Sequence, residues 1–445
     1  MSCGNDDRTS IARLEAWCDL VVLRRFARSP QVGIAGLDQV VSGMTNSIFA
    51  LLVSRSLGLE EFGRFAVALV VLAALTNAIY SFVTEPALRF IAASSSTGHR
   101  DVLNAYSAVP MLGVPLGVAV GVPLFAFGNA TLSAVGVVLI GSTGLLLHES
   151  VRQISVALGR AGDALVLDVV WLVGSMCLLG IVETIGSIGS AASALIVWMS
   201  GAHLAVALFF FRDRLAPFKV AGGAAWIRQS STTGSLLTAE GLLLGLSAQL
   251  VVFILAAGVG LEFVGLVRSI ELVFAVAGLL AASTRLIGQP RFVRQRARGE
   301  ASLPFALQVT LIIALGVIAN GVAIVVVGRP IGRAVVGERW DDVRDMVLVG
   351  GAFVLARAYA SPALFALRVF AAARLVVMLR IANAVVLIGT ALLIVAAQFE
   401  GNRSSLLLLT AGNAVAAGLW YAGFVAEDRR PRVDGVLVSA RDDPE

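Results

Sequence analysis

Gly58-Leu59-Glu60-Glu61-Phe62-Gly63 returns later in the chain as Gly260-Leu261-Glu262-Phe263-Val264-Gly265. Asp38 and Glu240 stand at the same separation from each other, each about twenty residues before its Gly-Leu-Glu. An apolar stretch runs from each carboxylate to its turn, and a second apolar stretch follows the turn. The pattern describes one membrane half used twice, with a site expected between the halves.

Composition fixes the class. Hydrophobic residues are 58% of the chain and charged residues 14%, with a mean hydropathy of +0.88. A soluble domain carries about 25% charged residues. Apolar runs of about 20 residues recur along nearly the whole length, each sufficient to cross a ~30 Å hydrocarbon core as a helix. Alternating strands of the outer-membrane type are absent, so the fold class is an all-α polytopic membrane protein. Cys3, Cys18 and Cys177 are scattered, which argues against a disulfide framework. No HExxH, P-loop or CxxC occurs, and the sequence calls for no cofactor, resident metal or nucleic-acid partner.

Twelve spans are expected, at about 34–56, 64–90, 105–127, 131–150, 164–183, 189–211, 233–257, 263–287, 304–327, 345–367, 376–397 and 404–425. With both termini in the cytoplasm, inner segments hold about 24 Arg and Lys and outer segments about 7, which orients the chain by the positive-inside rule. Residues 1–30 read as an amphipathic cytoplasmic segment, 31–211 as an N-lobe of helices one to six, and 212–232 as an amphipathic linker. Residues 233–425 read as a C-lobe of helices seven to twelve, and 426–445 as a polar tail. Six spans per half is an even number, so the two lobes are parallel repeats.

Ionisable groups at membrane depth cost about 2.5–3.5 kcal/mol each on insertion scales, so each one needs a reason. Arg357 reads as the deepest charge, ~18 Å into the tenth span. No acid stands three or four positions away from it, so its partner is on another helix or is the substrate. Arg268 and Glu271 form an i,i+3 pair on the eighth span, either structural or lining a cavity. Arg380 lies near the cytoplasmic end of the eleventh span, where it can snorkel to headgroups or meet substrate. Asp38 and Glu240 fall at the cytoplasmic ends of their helices, where a carboxylate is favoured by the helix dipole or serves as a coupling or gate group. Glu85 and Arg89, with Pro86 between them, are expected to pair at i,i+4 on the gate side. Asn46 belongs to a polar patch with Ser42, Thr45 and Ser47 at mid-depth, and Ser247 and Gln249 match it in the second half. His203 reads as a satisfied buried histidine.

The stretch from Val41-Ser42-Gly43-Met44-Thr45-Asn46 through Leu51–Phe65 resembles bacterial oligosaccharide flippases of the multidrug/oligosaccharidyl-lipid/polysaccharide exporter superfamily. Thr84-Glu85-Pro86-Ala87-Leu88 and Val336-Gly337-Glu338-Arg339-Trp340 through Ala371–Arg374 resemble the same family. Leu59 stands where proline is frequent there, and Ala373 where glycine often precedes the arginine. The resemblance implies a V-shaped, alternating-access pair of six-helix lobes in the bacterial inner membrane, not an enzyme. It implies a cavity lined by helices one, two, seven and eight, which here carry Asp38, Asn46, Glu85, Glu240 and Arg268. The cargo it implies is a polyprenyl-pyrophosphate-linked glycan, with membrane lipids, a glycan polymerase and chain-length machinery as partners, and cationic cavity residues suit a pyrophosphate. The rival within the superfamily is a cation-coupled multidrug exporter, which would call for a dominant acidic cluster at mid-depth in one lobe. A membrane glycan polymerase or ligase is the rival from another class; it would leave the repeat unexplained.

Overall fold

The computed structural model describes residues 30–93, 99–186, 188–212, 219–275, 278, 280, 291–292, 295, 300–327, 329–337, 340–370, 373–398 and 401–429. The expected amphipathic N-terminal segment and residues 430–445 of the tail lie outside these. Among the described residues there is helix and turn but no strand.

The chain begins with α1 (Pro30–Ser56) and α2 (Leu59–Ile79). A π-helical turn, Tyr80–Thr84, connects α2 to α3 (Glu85–Ala93). Next come α4 (His99–Leu116), a second π-turn at Gly117–Gly121, α5 (Val122–Phe127), α6 (Ala130–Ala157), α7 (Ala161–Ile185) and α8 (Ala191–Arg212). The later helices are α9 (Val220–Gly258), α10 (Leu261–Val273), α11 (Leu303–Val326), α12 (Arg329–Val336) and α13 (Trp340–Asp345). The last four are α14 (Val347–Tyr359), α15 (Ser361–Phe370), α16 (Ala373–Ala397) and α17 (Asn402–Asp428).

Nine described helices are long and apolar enough to cross a membrane. The other three expected spans fall on α1, α9 and α10. The α1 helix is long enough, but Asp38, Thr45 and Asn46 dilute its apolar character. Lipid exposure is visible in the packing. The apolar window of α11 has a mean hydropathy of 2.6, yet only 22% of it is buried. Leu311, Ile318 and Val322 stand exposed on it, an apolar surface of the kind that faces lipid or a partner.

The chain forms two compact units, Met1–Phe49 with Val71–Leu242 and Ala50–Val70 with Leu243–Glu445. The first is built chiefly on α6, α7 and α8, with Val138, Leu146, Val151, Ile154, Ala194 and Leu195 in its core. Residues 220–232 of the expected linker begin α9, whose glycines let it approach α4: Gly222 meets Asn104, and Gly223 meets Ser107 and Met111. Gly234 packs on the Phe82 carbonyl inside the π-turn, and the Trp226 indole donates to the neighbouring Val83 carbonyl at 3.4 Å. Residues 220–232 and the seventh span are therefore one continuous helix of 39 residues.

The second unit contains both copies of the repeated turn. The backbone of Leu261 fills the space where a Cβ on Gly63 would sit, and the Leu59 carbonyl does the same at Gly265. The corresponding glycines of the two copies thus make reciprocal backbone contacts. Gly260, at φ +122°, starts α10 in a conformation that favours glycine. Around this seam lie Ala66, Val67, Phe263, Leu266, Ile270, Phe353 and Leu406.

Candidate functional site

Each unit holds a group of paired charges that joins different helices. In the first unit, Asp38 is fully buried on the third turn of α1. This corrects the helix-dipole expectation, because α1 starts at Pro30 and has no acid in its first turn. Its partner is Arg152 of α6, whose Nη1 donates to Asp38 Oδ2 at 2.9 Å. The same guanidinium grips Glu149 through Nε at 3.0 Å and Nη2 at 2.8 Å. Gln153 donates to that carboxylate at 2.8 Å. Asp168 of α7 is also fully buried, 4.0 Å from Arg152 Nη1 and 3.4 Å from His148 Nε2. Neither Asp168 oxygen has a hydrogen bond. The His148 ring packs on Trp171, which packs on Trp198, which stacks on Phe49, so apolar rings wall the cluster on one side. Three carboxylates thus lie around one guanidinium on three helices.

Reading the sequence finds Asp38 but misses His148, Glu149, Arg152 and Asp168. An end of the fourth span at 150 puts Arg152 in an inner loop, whereas α6 continues to Ala157. The i,i+3 spacing of Glu149 and Arg152 is the available signal.

In the second unit the structure brings Arg268, Glu271 and Arg357 together. Glu271 Oε2 accepts Arg268 Nη1 at 3.0 Å, and Glu271 Oε1 accepts Arg357 Nη1. The partner of Arg357 is therefore on another helix, as its own helix required. Both helices are interrupted just beyond these residues, α10 after Val273 and the α14–α15 pair at Ala360. Asn320 of α11 donates to the freed Val273 carbonyl at 2.8 Å. Pro362, two residues past the second break, lacks an N–H and favours an interruption there.

The remaining expected residues do not join either group through described contacts. Arg380 is buried on α16 at 5% exposure, so it does not snorkel to a surface. Asn46 is exposed on α1, and Thr45 beside it is buried with its hydroxyl bonded to the Val41 carbonyl. Glu85 is half-buried at the start of α3, directly after the π-turn. The side chains of Glu240 and Arg89 lie outside the described set, and with them the expected Glu85–Arg89 pair. His203 is exposed, contrary to expectation, with Nδ1 2.8 Å from the Met199 carbonyl. Among the described residues no group of His, Cys, Asp and Glu is arranged to hold a metal.

No family model matches the chain, and no curated protein matches its sequence. Solved structures do match its fold. An inward-facing multidrug resistance MATE family transporter of the MOP superfamily aligns over 87% of this chain and 93% of its own, with a TM-score of 0.66 at 15% identity. An outward-facing transporter of that family aligns over 89% and 95%, with a TM-score of 0.59 at 15% identity. The lipid II flippase MurJ, in an inward closed conformation, aligns over 88% and 89%, with a TM-score of 0.59 at 11% identity. This chain has the all-α, polytopic fold of MOP-superfamily transporters.

Proposed function

We propose that this protein is a secondary transporter that flips a polyprenyl-pyrophosphate-linked oligosaccharide from the inner to the outer leaflet of a bacterial inner membrane, with both termini in the cytoplasm. The observation that carries the reading is the Arg268–Glu271–Arg357 group, which holds two guanidiniums and one carboxylate at two helix interruptions. Its net charge is positive, and guanidiniums match phosphate oxygens in geometry as well as sign. The buried carboxylates around Arg152 fit the coupling half of such a machine, where a proton or cation enters. Glycan polymerase and chain-length proteins are the partners this reading implies.

The second reading is a cation-coupled multidrug exporter, and one observation favours it. Three acidic residues, Asp38, Glu149 and Asp168, gather around Arg152 in one unit.

Reconstitution separates the two. Proteoliposomes loaded with a fluorescent polyprenyl-diphosphate oligosaccharide should lose inner-leaflet probe only when the protein is present. If they do not, and an imposed proton gradient drives uptake of a cationic dye, the exporter reading stands. Genetic deletion gives the parallel test: lipid-linked glycan should build up on the cytoplasmic side.

A further inference from the structure

Glu271 is an unusual neighbour for an anion site, because it is itself an anion placed where the anion should go. Each of its oxygens takes a guanidinium from a different helix, Oε2 from Arg268 of α10 and Oε1 from Arg357 of α14. A phosphate bridging two arginines makes the same pattern of contacts. Exposure is graded across the group: the Glu271 side chain is 19% exposed, Arg268 35% and Arg357 58%. The carboxylate is sheltered, and both guanidiniums keep open faces. A guanidinium has five N–H donors, and each of these two gives Glu271 one. The Nε of Arg268 is buried without a hydrogen-bond partner. The group therefore has unused donors on two cations around one resident anion.

We propose that Glu271 is a built-in stand-in for the diphosphate of the cargo, and that loading consists of exchanging Arg357 from Glu271 to the diphosphate. This rests on the flippase reading. With the site empty, Glu271 neutralises one guanidinium and holds both in place. An incoming diphosphate takes the more exposed one, Arg357, while Glu271 keeps Arg268, its neighbour one turn away on the same helix. On release, Glu271 recaptures Arg357 and displaces the headgroup. The carboxylate therefore sets how weakly cargo is held. Removing it leaves two uncompensated cations, which bind the diphosphate tightly and release it slowly.

The probe is farnesyl diphosphate, a short prenyl diphosphate, titrated into the purified full chain, together with flipping of the fluorescent polyprenyl-diphosphate oligosaccharide in proteoliposomes. Glu271→Gln should bind the probe about tenfold more tightly and flip about tenfold more slowly. Arg357→Gln should lose binding and flipping together, and Glu271→Asp should restore behaviour near that of the native chain. The double variant Glu271→Gln with Arg268→Gln keeps the native net charge. It should bind the probe more tightly than Arg268→Gln alone, which gives a second comparison if the single Gln variant folds poorly. A Glu271→Gln variant that binds the probe no better than the native chain overturns the exchange while leaving the flippase reading intact. A native chain that binds no farnesyl diphosphate overturns the flippase reading, and the exchange with it.

Discussion

Gly63 and Gly265 occupy equivalent places in the two copies of the repeated turn, and each packs against the backbone at the start of the other's helix, at Leu261 and Leu59. The repeat is thus a contact surface in addition to a trace of duplication. A side chain at either position must push two helix starts apart. Gly63→Leu and Gly265→Leu should each destabilise by about 1–3 kcal/mol, the range for overpacking a close contact. Gly58→Ala should be neutral, since nothing lies within 4 Å of a Cβ there. Thermal unfolding in detergent, followed by size-exclusion of the survivors, makes the comparison. Equal stability of the Gly63→Leu and Gly58→Ala variants would mean that the seam does not hold in solution.

Arg152 pairs with Asp38, Glu149 and Asp168, and its side chain is 6% exposed. Breaking a buried pair from one side costs about 3–5 kcal/mol, because the charge left behind is uncompensated. Arg152→Ala leaves three carboxylates and should be the worst variant of the cluster. Asp38→Asn leaves Arg152 still bonded to Glu149 and should cost less. Arg152→Lys should not rescue, because one ammonium cannot reproduce a fork that spans two carboxylates. Stability ranked by thermal melting should follow that order. If Asp38→Asn proves worse than Arg152→Ala, Arg152 is not what holds the cluster.

What the sequence reveals and what it hides follow from the same physics. Spans are legible because lipid demands long apolar runs, and α11, α16 and α17 fall within a few residues of their expected limits. Arg268 and Glu271 are legible as a pair because i,i+3 neighbours must meet on a helix. That Arg357 joins them depends on how α14 packs against α10, which spacing along the chain does not encode. The approach of α4 to Gly222 and Gly223 is hidden for the same reason, since Asn104, Ser107 and Met111 are distant in sequence. Arg152 is hidden by a boundary error, since a charged residue near a helix end looks like the loop that follows it.

Asp341 lies between α12 and α14 on the short helix α13, where Arg333 Nη2 donates to its carboxylate at 2.6 Å and Arg329 Nε lies 3.1 Å away. The hydrogen bond from Arg333, aided by the charge of Arg329, holds its carboxyl below the ordinary value of 3.8. A carboxylate with a depressed folded value stabilises fully above its unfolded value and loses that contribution as pH falls through the folded one. Hydrogen exchange in α12 and α13 should therefore be constant above about pH 4 and quicken, after correction for intrinsic exchange, as the medium becomes more acid. Asp341→Asn should remove that acid dependence. A native chain with the same acid profile as Asp341→Asn would show that the pair contributes nothing to local order.

Asp168 is fully buried, neither oxygen has a hydrogen bond, and Arg152 beside it is already bonded to Asp38 and Glu149. Burying a bare carboxylate in this way is costly unless it shares a proton or a cation, and His148 Nε2 lies 3.4 Å away. On the proposed transporter reading, this is where the driving ion acts. Asp168→Asn removes the exchangeable site while keeping the shape of the side chain. It should abolish transport driven uphill by an imposed proton gradient, by tenfold or more, yet leave downhill exchange of the same cargo within about twofold. His148→Gln should keep both modes but alter the dependence of the uphill mode on pH. The two modes can be read in one proteoliposome preparation, with and without the gradient. If Asp168→Asn lowers both equally, the residue holds the helices together and coupling resides elsewhere. If it lowers neither, the Asp168 carboxylate has no part in transport.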